Sequence, residues 1–187
     1  ALCAADFERF FCLRRVHLFP APSAASVRDL FSRICSGAAR DDWMAEDLHS
    51  WLQINPFYGG VPEALTACAG SAHVITTKQK RFAVALVRHA GVGADAVPDA
   101  CIYGLGEYES KADVIARLLD EAGPGTTAHF FEDRWPTLVK CAADPRLDGR
   151  AKLYLCDWGY VQAAELEAAR AEPKVEIISR ERFAAIV

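Results

Sequence analysis

The 187-residue sequence contains no CxxC pair, no long apolar run, no excess of basic charge and no repeat. Each lack removes a class of function. Seven cysteines are present, an odd number at wide spacing (Cys3, Cys12, Cys35, Cys68, Cys101, Cys141, Cys156), which argues against a disulfide framework or a zinc site. Buried apolar thiols in a reducing intracellular compartment are the expectation, cytosol or an organelle stroma or matrix, chloroplast or mitochondrion. The longest clear apolar run, "FAVALV", is bounded by charge on both sides, so no membrane span is expected. Basic and acidic residues are interspersed at a net charge of −4, and no basic face reads as a nucleic-acid site. The five histidines show no ligand spacing. The chain opens on Ala1, read as a processed or partial start. "ALCAADFERFF" lacks the basic start and apolar stretch of a signal peptide.

Apolar residues make up 52% of the chain, enough for a packed core. From Ser71 onward, short β-rich runs alternate with amphipathic stretches. "SAHVITT", "ACIYGLG", "TAHFFED", "AKLYLCDWGY" and "KVEII" read as strands. "KQKRFAVALVRHA", "ESKADVIARLLDEA", "PTLVKCAAD" and "VQAAELEAARA" read as the helices between and after them. Such alternation predicts an α/β fold, a doubly wound parallel sheet covered on both faces. The lead differs. "SVRDLFSRICSGA" and "ARDDWMAEDLHSWLQI" predict helices, the second with an apolar stripe of Met44, Leu48, Trp51 and Leu52. The expected division is a helical lead or partial cap over 1–54 and an α/β core over 55–187.

Ligands of parallel α/β sheets gather at the carboxyl ends of the strands. Thr76 and Thr77 end one predicted strand, Glu132 and Asp133 end another, and Lys111 opens a helix after a third. A hydroxyl, a lysine and paired carboxylates suit a phosphate group and a hard divalent cation. Carboxylates hold Mg²⁺ by oxygen, and the lysine offsets phosphate charge.

These segments resemble the haloacid-dehalogenase superfamily of phosphatases. "HVITTKQKRFA" is similar to its second motif, Lys111 in "ESKADVIARLL" to its third-motif lysine, and "HFFEDRWPTL" to its fourth motif. Lys111 lies 35 residues after Thr76, and Asp133 22 residues after Lys111, in the order and at the spacing of the family. The segments "FYGG", "ITTKQ", "IYGLG", "HFFEDR" and "LYLCDWGY" resemble a plant and algal group within it, over roughly Asp41 to the end. The resemblance implies a HAD-like Rossmannoid core and an aspartate that attacks phosphorus to form an aspartyl-phosphate, with a second aspartate as general acid and base. Thr76, with Thr77 as its neighbour, would hold the phosphoryl group. Lys111 would fix the nucleophile and the phosphate charge, and Asp133 with Glu132 would bind Mg²⁺.

The family's first motif is an apolar strand followed by Asp-x-Asp-Gly, and residues 1–50 hold no full copy. Asp6 and Glu8 have the right separation, but Glu8 replaces the second Asp and Arg9 stands where glycine is expected. In "RVHLFPAPSAAS", Pro20 and Pro22 occupy the acid positions. The nucleophile strand is the middle one of its sheet, so the slot must be filled. The expected occupants are residues 1–5, residues 15–19, an upstream segment or a strand of another protein. Three functions follow. One is a Mg²⁺-dependent phosphomonoesterase whose nucleophile lies upstream. Another is a catalytically degenerate relative acting as a structural or accessory subunit among protein partners, in an organellar complex for example. The third is a non-catalytic binder of a small phosphorylated molecule.

Overall fold

The computed structural model describes residues 7–11 and 38–187, the side chains from Asp41 on. The chain divides into two units, residues 1–14 with 57–187 and residues 15–56.

In the second unit, α1 (Ala38–Gln53) is one element only by its ends, for Asp47 breaks it with φ −150° and ψ 80°. The Asp47 carboxylate accepts the Ser50 N–H at 3.0 Å and so caps the second half. That bond holds its pKa below the usual carboxylate value. The break corrects the predicted single stripe: Trp51 and Leu52 are buried, but Leu48 is 46% exposed. The predicted helix at "SVRDLFSRICSGA" lies outside the described residues up to Gly37.

The first unit is an α/β fold. Its strands are β1 (Phe7–Phe11), β2 (Ala72–Ile75), β3 (Ile102–Tyr103), β4 (Thr127–Glu132), β5 (Ala151–Cys156) and β6 (Val175–Ile178). They form one sheet in the order β3-β2-β1-β4-β5-β6. Every pairing is parallel. The helices are α2 (Val61–Ala67), α3 (Lys80–His89), α4 (Lys111–Ala122), α5 (Trp135–Ala142), α6 (Ala163–Arg170) and α7 (Arg180–Ile186). The predicted strands and helices of this region all form, though "ACIYGLG" yields only a two-residue strand. α7 was not foreseen.

Parallel strands buried on both faces read as near-continuous apolar runs, and β4 is buried from Ala128 through Glu132. Successive residues feed two cores. Val74, Phe131, Tyr154 and Ile178 pack with Leu65 of α2, Val87 of α3 and Phe183 of α7. Ile75, Phe130, Leu153 and Leu155 pack with Ile115 and Leu119 of α4, Leu138 of α5 and Ala169 of α6. Helices therefore cover both faces of the sheet. Cys68, Cys101, Cys141 and Cys156 are not joined in disulfides. Burial pushes the Cys141 thiol up to about 12, as expected of an inert packing group. Among the described residues, no helix is long and apolar enough to cross a membrane.

The middle slot is where expectation and structure part. It is filled by Phe7–Phe11, none of the expected occupants. Phe11 registers with Val74 of β2 on one side and Phe131 of β4 on the other. The lead over 1–54 is thus not wholly helical. The physical reason is that β2 and β4 would otherwise each leave a row of buried N–H and C=O groups unpaired. "FERFF" supplies three aromatics, which favour strand, although Glu8 and Arg9 disguise the pattern. The order of the chain across the sheet reverses beside β1, which puts a crevice at the carboxyl ends of β1, β2 and β4.

Candidate functional site

The site is built from the ends of these strands. Val74 and Phe131 share the register partner Phe11, so Thr76 and Asp133, each two residues further on, stand level on either side of the end of β1. Strand spacing separates their backbones by roughly 10 Å.

Lys111 arrives from α4. Ser110 caps that helix reciprocally with Asp113: the Asp113 N–H donates to Ser110 Oγ at 3.1 Å, and the Ser110 N–H to Asp113 Oδ2 at 3.0 Å. This fixes Lys111 as the first helical residue, and its side chain is buried. Lys111 Nζ donates to Glu132 Oε2 at 2.6 Å, with side-chain exposures of 7% and 0%. The ammonium also lies 5.8 Å from the Phe130 ring centre. The other Glu132 oxygen accepts the N–H groups of Asp133 at 3.1 Å and Arg134 at 3.0 Å. Both Glu132 oxygens are therefore engaged by protein donors, and Glu132 serves as the anchor of Lys111.

Asp133 is buried and faces a small cleft with Tyr58, Cys156 and Trp158 on its walls. Its Oδ2 accepts the Tyr160 N–H at 3.0 Å and the Tyr58 hydroxyl at 3.4 Å. Burial, then the charge of Glu132, push the Asp133 carboxyl up to about 6. The Tyr160 N–H and Lys111 oppose that rise without cancelling it.

Thr76 is 1% exposed and fully woven into the backbone. Its N–H donates to Tyr103 O at 2.9 Å and its carbonyl accepts the Tyr108 hydroxyl at 2.7 Å. Its Oγ accepts the Lys78 N–H at 3.1 Å, a local turn that shapes the strand end. Thr77 is exposed. Asp6 lies outside the described residues. The strand that follows it begins at Phe7, which registers with Thr127 at the amino end of β4, whereas Glu132 ends that strand. In the sequence β1 is followed by Cys12, Leu13, Arg14 and Arg15, none of which bears a carboxylate.

Among the described residues, the donor set offers little open oxygen to a magnesium ion. Mg²⁺ asks for near-octahedral oxygen, commonly one or two carboxylates with waters and phosphate oxygens. Asp133 Oδ1 is the one oxygen of the Glu132–Asp133 pair that no described donor occupies. Among the described residues, no group of three or more His, Cys, Asp or Glu side chains is placed to hold a metal ion.

Tyr58, Gly159, Tyr160 and Arg134 were not foreseen. Gly159 carried the available signal, a glycine just after a strand end. A Cβ on it would lie 2.1 Å from Asp133 Cβ, so only glycine lets this loop lie against the acid. Gly159→Ala should lift the loop, lose the Tyr160 N–H bond and raise the Asp133 pKa further. The expected loss of stability is about 1–2 kcal/mol, read by urea unfolding. An unchanged Asp133 titration in the variant would contradict this account. No family model, no curated protein and no solved structure matches the chain.

Proposed function

We propose that this chain is a doubly wound domain of haloacid-dehalogenase type that engages a phosphorylated small molecule without hydrolysing it. The observation that carries the reading is the occupant of the middle slot. β1 fills the middle of the sheet between β2 and β4, where the family resemblance would put the nucleophile strand, and Cys12-Leu13-Arg14-Arg15 follows it where Asp-x-Asp-Gly would be expected. Without a carboxylate there, no aspartyl-phosphate forms and no second aspartate shuttles the proton. The remaining framework supports a phosphate ligand: Lys111 held rigid by Glu132, and Asp133 level with Thr76 across the end of β1. Magnesium at Asp133 would draw its remaining oxygens from water, from the phosphate group or from residues outside the described ones.

The test is hydrolysis of p-nitrophenyl phosphate by the 187-residue chain, with and without Mg²⁺, beside Asp133→Asn. The expected result is no turnover above the buffer rate in any arm. Magnesium-dependent turnover that disappears in Asp133→Asn would overturn the reading and restore a phosphomonoesterase.

A further inference from the structure

The site as built has a charge problem. Glu132 takes up the charge of Lys111 at 2.6 Å, and Asp133 adds a carboxylate beside them. With all three groups ionised, the trio sums to one negative charge. A phosphate group approaching it is repelled unless a further cation stands at the edge.

We propose that Arg134, stacked on the face of Tyr160, is the residue that captures the phosphate group of the ligand at this edge. The proposal rests on the reading that the site takes a phosphorylated molecule. Three observations carry it. First, Arg134 follows Asp133 directly and is only partly exposed, yet among the described residues its guanidinium has no carboxylate partner. Arg88, Arg146, Arg150, Arg170 and Arg182 each pair with an acid, whereas Arg117, over the Tyr103 ring, shares the situation of Arg134 away from the Asp133 loop. Second, the guanidinium carbon lies 5.6 Å from the Tyr160 ring centre. A ring contact of this kind takes up no N–H donor by a conventional hydrogen bond, and the guanidinium keeps the planar fork that matches phosphate oxygens. Third, the brace is itself fixed to the site. The Tyr160 N–H is bonded to Asp133 Oδ2 at 3.0 Å, while its side chain stays 55% exposed. An arginine held on a platform tied to the acid is pre-organised for a ligand, which lowers the ordering cost of capture.

The experiment is calorimetric titration with inorganic phosphate at pH 7.5 without metal. It compares the unaltered chain with Arg134→Gln, Arg134→Lys and Tyr160→Leu. The expected result is saturable binding that Arg134→Gln weakens about tenfold or more. Arg134→Lys should recover only part of this, because an ammonium is a point charge without the fork. Tyr160→Leu should weaken binding by a smaller factor through loss of the brace. Equal affinity in the unaltered chain and Arg134→Gln overturns the role of Arg134 and leaves the phosphate-binding reading standing. No binding by the unaltered chain at tens of millimolar phosphate overturns both. A Lys variant that binds as well as the unaltered chain overturns the fork geometry.

Discussion

Lys111→Met should cost about 3–5 kcal/mol of folding stability, far more than its position at a helix start would suggest. An ordinary first-turn lysine is exposed, and its loss stays within about 0.5 kcal/mol. Here the side chain is 7% exposed and its partner Glu132 is fully buried. Removing the ammonium leaves the buried Glu132 carboxylate without its cation, with two backbone N–H groups as its remaining described donors. The second arm of the test is Lys111→Met with Glu132→Gln. A glutamine keeps an oxygen for the N–H groups of Asp133 and Arg134 and carries no charge. The double variant should regain most of the loss, since a neutral replacement of a buried pair is often close to neutral in stability. Urea unfolding of the two singles and the double gives the coupling energy directly. Additive effects would mean that the pair is not coupled and that Lys111 is held by packing alone. By contrast, Lys80 pairs with Glu107 at 3.3 Å with both groups more than a third exposed, and its removal should change stability by less than about 1 kcal/mol.

The same buried pair shows where the sequence was legible. "TAHFFED" is a β-rich run closing in two acids, so the strand and the position of the acids could both be read. The spacing S-x-x-D before "VIARLL" matches the cap that sets Lys111, a signal that the sequence carries and that its reading did not use. The division of labour within the acids was not legible. Nothing in Glu132-Asp133 says that the first acid is taken up by Lys111 and two backbone donors while the second accepts from Tyr160 and Tyr58. That depends on strand alternation: Glu132 lies on the side of Phe130, where α4 packs, and Asp133 has already left the ladder. Thr76 illustrates a second limit. Its residue type was read as a phosphate hydroxyl, and its Oγ also accepts the Lys78 N–H, a local bond that no spacing reveals and that leaves the O–H as a donor. The contributions of Tyr160 to Asp133 and of Phe7–Phe11 to the sheet are main-chain effects, and a main-chain N–H has no signature in residue type. In α1, Asp47 was read as part of a continuous helix, although an Asp three residues before Ser50 can also cap a new one.

Asp133 should make the protein less stable as pH rises, the reverse of the usual acid-denaturation trend. Its carboxyl is pushed from 3.8 to about 6, so the folded chain binds that proton more tightly than the unfolded one. The sign follows. The contribution is fully present below the unfolded value of 3.8, and is lost as pH climbs through about 6. A shift of this size corresponds to roughly 3 kcal/mol between the two ends of the window. Asp133→Asn removes the titration and keeps an oxygen for the Tyr160 N–H. The variant should be more stable than the unaltered chain by about 2 kcal/mol at pH 8, with the gap closing toward pH 4. Urea unfolding at four pH values in EDTA reads this, and a gap independent of pH would refute it. The experiment repeated in millimolar Mg²⁺ then bears on the metal. A cation held at Asp133 favours the ionised form and would shrink the gap at pH 8. With one carboxylate oxygen open among the Glu132–Asp133 pair, the expected result is that magnesium leaves the gap unchanged. A residue that costs stability at neutral pH, and that a single isosteric change relieves, fits the proposed ligand site, where strained and perturbed groups collect.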